Sequence, residues 1–117
     1  MQVLAVRAGG QLDQHTPDLV GHEEHSPGGD AFGTTEVKTV PGSRLHRLIG
    51  PQLTVRCHHH QSVRKHPRLT PAAYAADGTL EALEDPERPF WLAVQWHPEI
   101  SADAGLFQAF VDAARQQ

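Results

Sequence analysis

Short apolar blocks, each closed by glycine, proline or a polar cluster, set the order of elements along this chain. Met1, Leu4, Ala5 and Ala8 recur at helical spacing and predict a helix that Gly9-Gly10 ends. Met1 already lies inside the periodic pattern, so that helix has no N-cap of its own. Gln14 to Thr35 is rich in His, Glu, Pro, Ser and Gly and predicts a solvated loop. Glu36 to Val40 alternates polar and apolar residues, as a half-buried strand does, and Pro41-Gly42 turns the chain. Ser43 is placed to cap a short helix, Arg44 to Ile49, that Gly50 terminates; Leu53 to Cys57 follows as a strand. Asp77-Gly78, flanked by Leu69 to Ala76 and Thr79 to Glu84, is the strongest hairpin signal.

The run Phe90 to Gln95 is apolar on nearly every residue, which suits a central strand buried on both faces, as in a parallel sheet. Pro98 removes a ladder donor and holds His97 out of helical geometry, so the strand stops there. Ser101 is then the expected cap of a last helix, with Ala104, Phe107, Val111 and Ala114 near one face and Asp103, Asp112 and Arg115 outside. Nothing repeats and no Pro/Gly linker divides the chain, so residues 1–117 read as one α/β domain.

Composition narrows the function classes. Counting glycine and leaving out tyrosine, about 46% of the residues are apolar, an ordinary globular share. The formal net charge of −4 gives no global attraction to nucleic acid or an anionic membrane. Arg64, Lys65 and Arg68 form a local basic patch, read as a solvated face. No apolar run approaches the ~20 residues of a membrane span, and no secretory signal is evident. A single cysteine, Cys57, excludes an internal disulfide framework and fits a reducing cytoplasm.

Two stretches carry candidate chemistry. In extended backbone His97 and Glu99 point to the same side, because side chains repeat every two residues. An imidazole at a strand end beside a carboxylate supplies the base and orienter of a nucleophilic triad; a structural histidine beside a solvated glutamate has the same spacing. In Cys57-His58-His59-His60-Gln61, neighbours point oppositely, so three histidines cannot face one ion. Cys57 and His59 share a side and leave a surface metal site open, while His22 and His25 lack a compact third ligand. Cys57 as nucleophile for His97 is a rival reading, although no glycine-flanked turn exposes it.

Val94-Gln95-Trp96-His97-Pro98-Glu99 resembles the motif that closes the active site of class I glutamine amidotransferases. His59-His60-Gln61-Ser62-Val63 and Ala76-Asp77-Gly78-Thr79-Leu80-Glu81-Ala82-Leu83-Glu84 resemble the gamma-glutamyl-gamma-aminobutyrate hydrolase branch, in the same order. The resemblance runs from Met1 to about Phe110 and implies the C-terminal half of a flavodoxin-like domain, a mixed sheet flanked by helices. It implies a Cys-His-Glu triad in which His97 is general base and acid and Glu99 its orienter. Met1-Gln2-Val3-Leu4 is similar to the tail of the nucleophile turn, which would place the cysteine before Met1 and leave the chain inactive alone. Gln2, His59, His60 and Gln61 would then contact a gamma-glutamyl amide, with no metal and no organic cofactor. The implied partners are the missing N-terminal half or a second copy of the chain, with neither nucleic acid nor membrane. Outside that resemblance stand two alternatives: a His-rich, non-catalytic module for a divalent metal, and one half of a split amidase.

Overall fold

The computed structural model describes residues 1–22, 25, 33–59, 61–98, 100 and 104–116. In chain order the elements are α1 (Gln2–Arg7), β1 (Gln11–Asp13), α2 (Thr16–Val20), β2 (Gly33–Thr39), α3 (Arg44–Ile49), β3 (Gln52–Cys57), β4 (Ser62–Lys65), β5 (Thr70–Ala75), β6 (Leu80–Glu84), β7 (Leu92–Val94) and α4 (Ala104–Arg115). Five strands pair in the order β3-β2-β5-β6-β7, and β1 pairs with β4 in a separate ribbon. Every pairing among the described residues is antiparallel.

Local chemistry accounts for the hairpins. β2 alternates buried and exposed residues along its whole length, which fixes its register against Val55 and Cys57 of β3. Gly78 takes φ +88°, a conformation open to glycine, and Asp77 accepts a hydrogen bond from the Thr79 backbone N–H to close the β5–β6 turn. Ser43 caps α3 as its sequence suggests, accepting from the His46 N–H at 3.0 Å. A second cap comes from the sheet: the Glu84 carboxylate accepts from the Arg44 N–H with both oxygens at 2.9 Å and from the Leu45 N–H at 3.3 Å. A carboxylate at a helix N-terminus satisfies orphan donors and meets the positive end of the helix dipole.

The central strand is not the one the apolar run suggests. β7 is three residues long, half-buried, and lies at the sheet edge antiparallel to β6. The strand buried throughout is β6, Leu80–Glu84. It separates two apolar clusters, Ala82 facing Val37, Val55, Ala73 and Trp96, and Leu80 and Leu83 facing Ala5 and Val63. The sheet also curls. Beyond β7 the His97 N–H donates to the Arg56 carbonyl at 2.9 Å, so the chain after one edge strand touches the opposite edge strand, β3.

The last helix is turned from its expected face. Leu106, Ala109 and Ala113 are its partly buried positions, while Phe107, Phe110 and Val111 are exposed. Leu106 packs on the main core, and Phe90 meets the Phe110 ring at 6.3 Å. The expected cap Ser101 and Asp103 lie outside the described residues. Among the described residues no helix is long and apolar enough to cross a membrane.

Gly10 sits where α1 meets the β1–β4 ribbon. A Cβ there would lie 2.0 Å from the Lys65 carbonyl oxygen and 2.7 Å from that of Ala5. Both groups are held in place, the Ala5 carbonyl by the Gly10 N–H at 2.8 Å and Lys65 by its pairing with Gln11 across the ribbon. Gly10→Ala is expected to cost about 1–3 kcal/mol or more, seen as a lower denaturation midpoint with an unchanged m-value. A midpoint equal to the parent's would show that this junction relaxes freely.

Candidate functional site

Four separate segments meet around a polar cavity of about 500 Å³. Gln2 comes from the first turn of α1, Gln14 and His15 from the end of β1, His58, His59 and Gln61 from the β3–β4 connection, and Gln95 from the end of β7. The Gln2 amide donates to the Gln61 carbonyl at 3.3 Å, and the Gln61 amide donates to Gln14 Oε1 at 2.7 Å. Three of the residues expected to hold substrate, Gln2, His59 and Gln61, are therefore brought to one wall. His60 lies outside the described residues. Sequence reasoning missed Gln14, His15, His58 and Gln95; only Gln95, inside the closing motif, carried a local signal.

His97 follows Gln95 by two residues and is partly buried. Its backbone is held at both ends, the N–H on Arg56 and the carbonyl accepting from the Ile100 N–H at 3.1 Å. The strand stops at Val94, before the expected stop at Pro98, and His97 and Pro98 lie outside it. Glu99, the expected orienter, lies outside the described residues, so its relation to His97 is not part of this geometry.

Behind the cavity wall lies a buried ionic cluster that the loop reading of residues 14–35 did not contain. His25 is 1% exposed, and its Nε2–H donates to Asp77 Oδ2 at 2.6 Å. Its partner carboxylates, Asp77 and Glu81, come from the β5–β6 hairpin. Glu81, fully buried on β6, receives the Cys57 thiol and His59 Nε2, each at 3.3 Å from Oε1. His59 Nδ1–H donates to the Gln61 carbonyl at 2.8 Å, so both of its nitrogens are engaged away from the open cavity. Cys57 is likewise wholly buried, which corrects the expectation of a surface position for the Cys57–His59 pair. His22 adds a contact to Asp77 Oδ2 at 3.0 Å at the rim.

Burial alone would lower the His25 pKa, but the bonds and charges of Glu81 and Asp77 overcome it and raise it to about 9. Burial pushes Asp77 up, yet hydrogen bonds from Thr79 and His25 bring it down to about 2. Glu81 is held below the carboxylate range too, its burial outweighed by His25 and His59. A raised histidine stabilises the fold fully below its ordinary 6.5 and loses that contribution as pH rises through about 9. The depressed Asp77 contributes above its ordinary 3.8 and loses it as pH falls toward about 2. With a chelator present, the melting temperature is expected to plateau between those ordinary values and fall on both sides. Asp77→Asn should flatten both limbs, and limbs unchanged by that substitution would assign the pH dependence to other groups.

The comparisons with known proteins come to the same superfamily. Residues 1–99 match the peptidase C26 family. A Mycobacterium tuberculosis protein whose name assigns it to the glutamine amidotransferases is 49% identical over 115 residues, covering 97% of this chain and 37% of that protein. Gamma-glutamyl-gamma-aminobutyrate hydrolase PuuD of Escherichia coli is 32% identical over 130 residues, covering 98% of this chain and 51% of PuuD. A Thermoplasma acidophilum crystal structure named for GMP synthase superposes with TM-score 0.75 at 20% identity, over 98% of this chain and 53% of that one. That likeness shows the fold. The chain spans about a third to a half of the length of these curated relatives.

Proposed function

The chain belongs to the peptidase C26 family, within the class I glutamine amidotransferase superfamily, and from that premise we propose that it forms the base-bearing half of a gamma-glutamyl amide hydrolase. The observation that carries this reading is the polar cavity, where Gln2, Gln61 and Gln95 converge at the end of the strand that delivers His97. Neutral amide groups suit a ligand with its own amide, because donors and acceptors pair without burying an unmatched charge.

In this mechanism His97 takes the proton of a cysteine thiol supplied by a segment outside these 117 residues. The thiolate attacks the gamma-carbonyl carbon, and backbone amides at the nucleophile turn stabilise the oxyanion. His97 then gives its proton to the departing amine as the carbon–nitrogen bond breaks. Water, deprotonated by His97, cleaves the thioester to release glutamate, and the same proton returns to the sulfur to restore the thiol. Glu99 holds the His97 tautomer. His59 acts at one remove, fixing the carbonyl of Gln61, while Gln2 and Gln61 meet the substrate amide. The partner is the cysteine-bearing half, whether continuous with this chain or separate.

The test is hydrolysis of gamma-glutamyl anilide by this chain joined to the family's cysteine-bearing half. Saturable aniline release is expected, with Gln61→Ala raising KM more than it lowers kcat. Ammonia release from glutamine with no turnover of gamma-glutamyl amines would place the site among the ammonia-transferring branches instead.

A further inference from the structure

The hydrolase reading makes no use of the cluster behind the cavity wall. We propose that His25, Cys57, His59 and Glu81 form a buried structural site for a divalent cation of the zinc class. One ligand atom from each lies within 4.8 Å of all the others, and all four residues are buried. Glu81 Oε1 is 3.3 Å from Cys57 Sγ, from His59 Nε2 and from His25 Nδ1. Zinc bonds of about 2.0–2.3 Å set tetrahedral ligand atoms roughly 3.3–3.8 Å apart, so three of the six separations already match.

The outer nitrogens of both histidines are already taken. His25 Nε2–H donates to Asp77, which leaves Nδ1 facing the cluster. His59 Nδ1–H donates to the Gln61 carbonyl, which leaves Nε2 facing it. A carboxylate or carbonyl on the far nitrogen is how metal-bound histidines are oriented. Without a cation, the thiol and two imidazole nitrogens share one glutamate oxygen, both nitrogens at a length poor for a hydrogen bond, and among the described residues neither His25 Nδ1 nor Glu81 Oε2 has a well-formed partner. A thiolate, a carboxylate and two neutral imidazoles balance a 2+ ion, so the buried site would carry no net charge. Four protein ligands leave no open position, which makes the site structural. It would pin the turn at His25, strand β3 and hairpin strand β6 together, directly behind Gln61.

The chain is stripped with a chelator, dialysed against zinc and analysed for metal; cobalt(II) then replaces zinc for absorption spectroscopy. Equimolar zinc is expected, together with a thiolate-to-cobalt charge-transfer band that Cys57→Ser removes. Asp77→Asn should weaken zinc about 10–100-fold, as loss of an orienting partner does. His58→Ala should bind as the parent does. Zinc well below one equivalent overturns the proposal, as does cobalt bound without a thiolate band. So does binding lost on His22→Ala, which would move the ion to the rim group His22, His25 and Asp77. If Cys57→Ser does not fold, the parent's cobalt spectrum and the Asp77→Asn affinity decide. Activity enters none of these readouts, so failure of the hydrolase reading leaves them intact.

Discussion

Replacing His97 by alanine, in this chain joined to a cysteine-bearing half, is expected to lower kcat for gamma-glutamyl anilide by on the order of a million. The size follows from the double use of one imidazole. In the proposed mechanism it removes the thiol proton before attack and returns it to the leaving amine, so its loss would disable both halves of the reaction. At about 1.4 kcal/mol per tenfold, the deficit is roughly 8 kcal/mol of barrier. Stability should change far less, because the backbone bonds that hold residue 97, to Arg56 and Ile100, survive the substitution. A fall of tenfold or less would remove His97 from the triad, and a lowered melting temperature beside it would make His97 a structural residue.

Glu84→Ala is expected to destabilise the fold by about 2–4 kcal/mol, as much as truncating a buried leucine. Glu84 is 7% exposed, and its carboxylate accepts from two successive amides at the start of α3. Truncation strands those donors and takes a negative charge from the positive end of the helix. Glu84→Gln keeps an acceptor and loses only the charge, so it should cost about half as much. Urea unfolding of the three proteins measures the ladder directly. Equal midpoints for Glu84→Ala and the parent would show that Ser43 caps α3 without help from the sheet.

Local patterns that depend on near neighbours were legible in the sequence. The Asp77-Gly78 hairpin, the Ser43 cap and the alternation of β2 each rest on residues within a turn of one another. What failed was burial. Phe90 to Gln95 read as a central strand because it is apolar, yet it sits at an edge. Leu80–Glu84 is buried throughout despite two glutamates, because Arg44 and Leu45 amides satisfy one and the Cys57 and His59 side chains meet one oxygen of the other. No local pattern reports that a carboxylate will meet donors forty residues away. α4 erred in the same way: Phe107 and Val111 are apolar but exposed, and the buried stripe runs through Leu106, Ala109 and Ala113.

The candidate site divides along the same line. Gln2, His59 and Gln61 came from motif resemblance and do share one cavity. The His25–Glu81 contact joins residues fifty-six positions apart, and nothing in the sequence near His25 separates it from the less buried His15 and His22. Its environment is made by the fold.

The central claim is that the base lies in this chain and the nucleophile does not. Gamma-glutamyl anilide offered to the purified 117-residue chain tests it most directly. The account predicts no turnover, because Cys57 is wholly buried and its thiol faces the Glu81 carboxylate, which opposes thiolate formation. Joining the chain to a cysteine-bearing half should then restore hydrolysis. Turnover by the chain alone that disappears on Cys57→Ser would contradict the account and make Cys57 the nucleophile.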